Sequence, residues 1–218
     1  MTAPIARLHA KLPKGWLKQA RAEASQRYSS NRAAGVINAK VGNQSNEKTE
    51  FLGVCGEMGY SLIWGVQRDE TVCPRHGSID FIMPGGIKTE VKATDYLTGH
   101  LLASAKELQE STLPAGHPAI RGAKGGLIGV HQPADHYALI LIDGHKEELI
   151  YAGYATFAQL INQETVKRMK TGYKESFALP QSVLTLPTLP CMDQLAHAAQ
   201  ERGNEVRIVL DYSRIAYA

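Results

Sequence analysis

Three carboxylates and one lysine are the residues of this 218-residue chain whose types and spacing could do chemistry. Asp80 lies in the run Ser78-Ile-Asp-Phe-Ile-Met83, and Glu90 and Lys92 lie in Ile87-Lys-Thr-Glu-Val-Lys-Ala-Thr94. Both runs read as short strands, and Pro84-Gly85-Gly86 between them is a hairpin signal. A three-residue loop sets Met83 opposite Ile87 and Asp80 opposite Glu90. One face then carries Asp80, Ile82, Lys88, Glu90 and Lys92, and the other carries Ile79, Phe81, Met83, Ile87, Thr89 and Val91. A two-residue Gly85-Gly86 loop would set Asp80 against Val91 and on the wrong face, because a slip of one residue reverses every side chain. The clean division favours the first register. Carboxylates directly across a strand pair repel, so they need a cation or a shared proton between them. A hard divalent metal such as Mg²⁺ suits two acids on rigid strands. It would lower the pKa of a water and stabilise charge growing on phosphorus. Lys92, projecting from the same face, would orient that water or neutralise the transition state.

The third carboxylate, Glu57, belongs to a helix predicted over Phe51 to Gly65, where Leu52, Cys55, Gly59, Leu62 and Ile63 recur at helical spacing. Gly53, Glu57 and Ser61 form a separate stripe, and small neighbours would let another element or a ligand approach closely. After the hairpin come a short strand at His100 to Ser104, a long glycine- and proline-bearing loop from Lys106 to Val130, and an apolar strand from Tyr137 to Ile142. Glu148 to Ala155 is its partner, and Thr156 caps a short helix from Phe157 to Asn162. A basic linker with Lys167, Arg168 and Lys170 leads to a proline-punctuated stretch. A helix from Cys191 to Arg202, ending at Gly203, and a strand around Val206 to Leu210 follow. The expected fold class is α/β, a central mixed sheet flanked by helices.

Charge is uneven along the chain. The net formal charge is +3, which permits a polyanionic partner without demanding one. Residues 1–48 hold nine Lys and Arg against two acids, Glu23 and Glu47, and the remainder holds 15 against 19. A helix starting near Pro13 would expose Lys14, Lys18, Arg21 and Arg27. The plain reading of this segment is a solvated appendage; the functional one is a basic arm on nucleic-acid phosphates. Arg121 and Lys124 in the long loop could touch the same backbone. Three cysteines exclude a disulfide scaffold, and no apolar run approaches the roughly 18 residues of a membrane span. A soluble cytoplasmic protein is expected.

Other clusters carry less. Cys73-Pro-Arg-His76 lacks a second ligand pair for zinc. His131, Asp135 and His136 could ligate a metal, although a loop entering a strand accounts for them. Cys55 reads as a buried helix residue, and Gly122-Ala-Lys124-Gly-Gly lacks P-loop spacing. Thr94 and Gln67 are minor candidates for assisting the centre. Exposure of the hairpin face, with Lys88 pairing across strands, is the plain account of Asp80, Glu90 and Lys92. An exposed helix glutamate is that of Glu57.

Asp80 followed by Glu90-Val91-Lys92 resembles the PD-(D/E)XK nuclease superfamily, with Ile79 where the family name has proline. The acid-x-lysine pattern occurs once in the chain, at Glu90. Gly53-Val-Cys-Gly-Glu57 resembles the glycine–glutamate helix that precedes the hairpin in many members. Asp135-His136-Tyr-Ala-Leu-Ile-Leu-Ile-Asp143 and Gly153-Tyr-Ala-Thr-Phe157 look like later strands of small phage and bacterial members. The resemblance covers roughly Phe51 to Ile161. It implies a restriction-endonuclease-like core at 51–165, between a basic helical N-terminal appendage (1–50) and a C-terminal helix and strand extension (166–218) packed on the core. It implies Mg²⁺-dependent hydrolysis of DNA, double-stranded by expectation, with Mn²⁺ as a substitute. Asp80, Glu90 and Glu57 would be metal ligands and Lys92 the water-positioning group, in the cytoplasm of a bacterial or phage-infected cell. Two alternatives stand: a catalytically silent nucleic-acid- or protein-binding module on the same fold, and a structure-selective junction resolvase acting as a homodimer.

Overall fold

A computed structural model describes residues 5–35, 44–68, 79–104, 134–162, 167–171 and 174–211. The Cys73–His76 cluster, Arg121, Lys124 and His131 lie outside the described residues.

The most apolar strands build the centre. β5 (His136–Asp143) and β6 (Glu148–Thr156) form an antiparallel pair and are buried along nearly their whole length. Such strands need cover on both faces. Asp143 closes the turn between them by accepting the amides of His145 and Lys146 at 3.1 and 3.2 Å. Around this pair lie β1 (Ile5–Lys11), β2 (Phe81–Ile82), β3 (Lys88–Thr94) and β9 (Val206–Asp211), in the order β2-β3-β5-β6-β1-β9. β3 and β5 run parallel and every other neighbouring pair is antiparallel, so the sheet is mixed, as expected. A second sheet of three strands, β4 (Leu101–Ser104), β8 (Lys174–Leu179) and β7 (Lys167–Thr171), stands in that order.

Helices α1 (Trp16–Ala33), α2 (Asn46–Trp64) and α4 (Leu189–Glu201) cover one face of the large sheet. Leu8, Val91, Ile140 and Tyr151 meet Trp16, Ile63 and Met192 there. The small sheet and the short α3 (Phe157–Ile161) cover the other face, where Tyr137, Leu139 and Leu141 meet Leu101, Phe177 and Leu160. Thr156 caps α3 in a capping box with Gln159. Among the described residues no helix is long and apolar enough to cross a membrane.

Three expectations change. The N-terminal segment expected as a helical appendage contributes a strand to the large sheet, because β1 lies between β6 and β9 and pairs with both. The segment read as a basic linker is strand β7, paired with β8. The predicted helix around Glu57 begins five residues earlier: Ser45 is its N-cap and accepts the Lys48 amide at 3.1 Å. Gly65, with φ of 66°, ends it in the left-handed region.

Two glycines set how closely α2 lies on the sheet. A Cβ on Gly56 would stand 2.6 Å from the Ala93 Cβ and 3.4 Å from a Val91 methyl. A Cβ on Gly59 would meet the Leu149 side chain at 2.6 Å. Ala93 has no torsion with which to yield, whereas Leu149 can rotate away. Gly56→Ala is expected to destabilise by about 1–3 kcal/mol despite the better helix propensity of alanine. Gly59→Ala is expected to cost less. Urea unfolding of the two variants measures the order, and equal or reversed effects would contradict this packing.

Candidate functional site

The hairpin folds in the predicted register. Phe81 pairs with Thr89 and Ile82 with Lys88, and the Met83 amide donates to the Ile87 carbonyl at 2.8 Å across a single turn of 3-10 helix at Pro84–Gly86. The two faces also divide as predicted over most of their length. Phe81, Thr89 and Val91 are buried, and Ile82 is 71% exposed.

The strand pair then opens. β2 is two residues long and its residue pairing stops at Phe81, with one further backbone bond from the Asp80 amide to the Thr89 carbonyl at 3.1 Å. Asp80, one residue earlier, accepts the Val91 amide through Oδ2 at 2.7 Å. A carboxylate thus takes the place that a neighbouring strand's carbonyl would fill. Phe81 fixes the fork from the helix side, its ring 4.9 Å from that of Tyr60 on α2.

Four predicted residues meet at this fork. Glu57 approaches from α2, below the sheet. Glu90 and Lys92 project from the opposite face of β3, aligned with Tyr137 and Leu139 of β5. Lys92 Nζ is ion-paired with Glu90 Oε1, and both side chains are half-buried. Asp80 lies between the two sides. Burial of its carboxylate, and then the charges of Glu57 and Glu90, push its pKa up to about 8, against the Val91 hydrogen bond and Lys92. Among the described residues no three acidic, histidine or cysteine side chains stand as a ready-made metal cage. Both glutamates are instead engaged by cations.

Arg27 is the residue that sequence reasoning placed elsewhere. It was expected on the exposed face of α1, but its side chain turns inward and is 14% exposed. Nη1 and Nη2 donate to the two Glu57 oxygens, each at 2.6 Å. Nη2 also lies 2.9 Å from Glu23, one helical turn earlier, and Glu23 in turn receives Arg68 at 2.5 Å. Burial disfavours the Arg27 charge, yet Glu57, Glu23 and Asp80 outweigh it and raise its pKa above the ordinary value. The Glu23–Arg27 spacing was a legible signal. The partnership with Glu57, thirty residues on, was not.

Lys14, Lys18 and Arg21 are exposed, as expected. The Arg21 guanidinium lies over the Phe51 ring, 5.2 Å from its centre. Gln67 is exposed, and Thr94 accepts the Tyr96 amide at 3.2 Å. Asp135 ties the start of β5 to β3 by accepting the Lys88 amide at 2.8 Å, and the His136 ring lies tilted against that of Tyr154, centres 4.2 Å apart. Cys55 is fully buried and its thiol is pushed up to about 12 by that burial, which leaves it unreactive.

Comparison of the chain with protein-family models, curated proteins and solved structures finds no match.

The Asp80 environment has a consequence for stability. An unfolded aspartate releases its proton near pH 4. The folded one keeps it up to about pH 8, so over that window the folded state binds more protons and loses stability as pH rises. Asp80→Asn preserves an acceptor for Val91 and removes the charge. It is expected to be more stable than the natural chain by about 1 kcal/mol or more near pH 8, with the gap closing toward pH 4. Urea unfolding across that range measures it; an asparagine variant that is less stable at every pH would refute the burial and crowding of this charge.

Proposed function

We propose that the chain is a metal-dependent nuclease that hydrolyses DNA phosphodiester bonds, with Asp80 and Glu90 as metal ligands and Lys92 as the water-positioning group. The observation that carries this reading is the charge balance at the fork. Among the described residues the three carboxylates Glu57, Asp80 and Glu90 have two cations there, Arg27 and Lys92, and burial, with the charges of the two glutamates adding to it, raises the Asp80 pKa to about 8 within this negative excess. A divalent cation answers that excess better than a proton does.

The donor set fits such an ion. Carboxylate oxygens suit hard Mg²⁺, with Mn²⁺ as a substitute. Bound there, the cation supplies Lewis acidity for a water and for charge developing on phosphorus. The chain's own residues do the rest. The Val91 amide fixes the Asp80 carboxylate through Oδ2. Lys92 Nζ, adjacent to Glu90, holds and orients the attacking water and adds positive charge where the phosphorane forms. Arg27 keeps Glu57 fixed beside the ligands. The exposed Lys14, Lys18 and Arg21 supply sequence-independent attraction for a phosphate backbone.

A second reading is a nucleic-acid-binding module without catalysis, and the existing ion pairs of both glutamates favour it. DNA binding that is independent of Mg²⁺ and unaccompanied by cleavage would select it.

Incubation of plasmid and linear DNA with Mg²⁺ tests the first reading. Cleavage is expected, falling by about a hundredfold or more in Lys92→Ala and Asp80→Ala. Absence of cutting on every DNA and RNA form, with Mg²⁺ and with Mn²⁺, would falsify it.

A further inference from the structure

The guanidinium of Arg27 occupies the two-pronged position at which Glu57 would chelate a metal. Both Glu57 oxygens accept from it at 2.6 Å, and the Glu57 side chain is 10% exposed. A carboxylate engaged in this two-pronged way has its strongest lone-pair directions directed at the fork of the guanidinium. Arg27 is itself held, since Glu23 lies 2.9 Å from Nη2 and Arg68 binds Glu23 from beyond. The result is a continuous line, Arg68–Glu23–Arg27–Glu57, running from the end of α2 through α1 back to the fork. Removing a partner from such a buried pair leaves an uncompensated charge. The line is therefore a fixed feature rather than a pair of surface contacts.

We infer that Arg27 takes the place of a second metal ion: it is a positioning residue that neutralises Glu57 with a built-in cation, leaving a centre of Asp80 and Glu90 that binds a single divalent ion. This rests on the proposed nuclease reading and narrows it. Glu57, expected as a metal ligand, becomes the anchor of Arg27. Two-metal phosphodiesterases clamp the attacking and leaving oxygens with separate ions. Here one of the two positive charges is covalently part of the chain. It cannot be chelated, and it cannot be exchanged for another metal.

Metal binding can be read without activity. Calorimetric titration of the full chain with Mn²⁺, supported by electron paramagnetic resonance of the free ion, gives stoichiometry and affinity. The natural chain is expected to take up one ion. Glu57→Gln is expected to keep that stoichiometry, with affinity within about tenfold. Arg27→Met, which releases Glu57, is expected to take up a second ion. Arg27→Lys retains a charge and is expected to bind one. Near-ultraviolet circular dichroism reports folding of each variant. Should Arg27→Met fail to fold, Glu57→Gln and Arg27→Lys decide. Two ions in the natural chain, loss of binding in Glu57→Gln, or a folded Arg27→Met indistinguishable from the natural chain would each overturn this inference alone. No Mn²⁺ binding by the natural chain would remove the proposed nuclease function as well.

Discussion

The hydrogen bond from the Val91 amide to the Asp80 carboxylate determines the architecture around the fork. It ends the β2–β3 ladder after two residue pairs while leaving no orphaned amide at the exposed edge of β3. It also pins an acid at the rim of the sheet, where side chains from both faces can reach it. Without the early parting of the strands, Asp80 would be one more alternating residue on a hairpin. With it, Glu57 from the helix side and Glu90 from the other side act on one carboxylate.

Packing makes this arrangement rigid. α2 can deliver Glu57 to the sheet because Gly56, the preceding residue, lies against Ala93, one residue from Lys92. Tyr60, one turn after Gly56, meets Phe81, one residue from Asp80. Each charged residue of the cluster thus has an apolar or side-chain-free neighbour that holds its backbone in place. The burial that holds them also raises the electrostatic stakes, since unpaired charges in such surroundings are costly. This explains why cations arrive from two other places: Lys92 from the same strand, and Arg27 from a helix separated from α2 by a connecting segment.

The parts of this molecule that were legible in its sequence are those governed by local rules. The hairpin register followed from the alternation of Ile79, Phe81, Thr89 and Val91, and from a Pro-Gly-Gly turn that admits one clean division of faces. β5, β6 and the Thr156 cap followed from apolar runs and turn residues. β1 was missed because its seven residues, with Arg7, His9 and Lys11 interleaved, look like a basic leader; its burial depends on strands far along the chain. β7 was missed for a similar reason, its basic residues masking a strand that pairs with β8. Arg27 was misassigned because helical spacing puts charged residues outward unless a distant acid draws one in, and Glu57 does so. The convergence of Glu57, Asp80, Glu90 and Lys92 could be anticipated because three of the four lie on one hairpin, where geometry is nearly fixed by sequence separation.

The position of β1 between β6 and β9 bears on how the chain assembles during synthesis. Leu8 lies between Tyr151 on one side and Ile208 on the other, so β1 must wait for partners that are synthesised far later in the chain. The half of the sheet with β2, β3 and β5 draws on a shorter span of chain and can condense around α2 earlier. Loop closure over such distances is slow, and unpaired strands are sticky while they wait. The charged residues Arg7 and Lys11, which help to disguise β1 in the sequence, fit that interval: a strand that waits for distant partners is less prone to self-association when it carries positive charge.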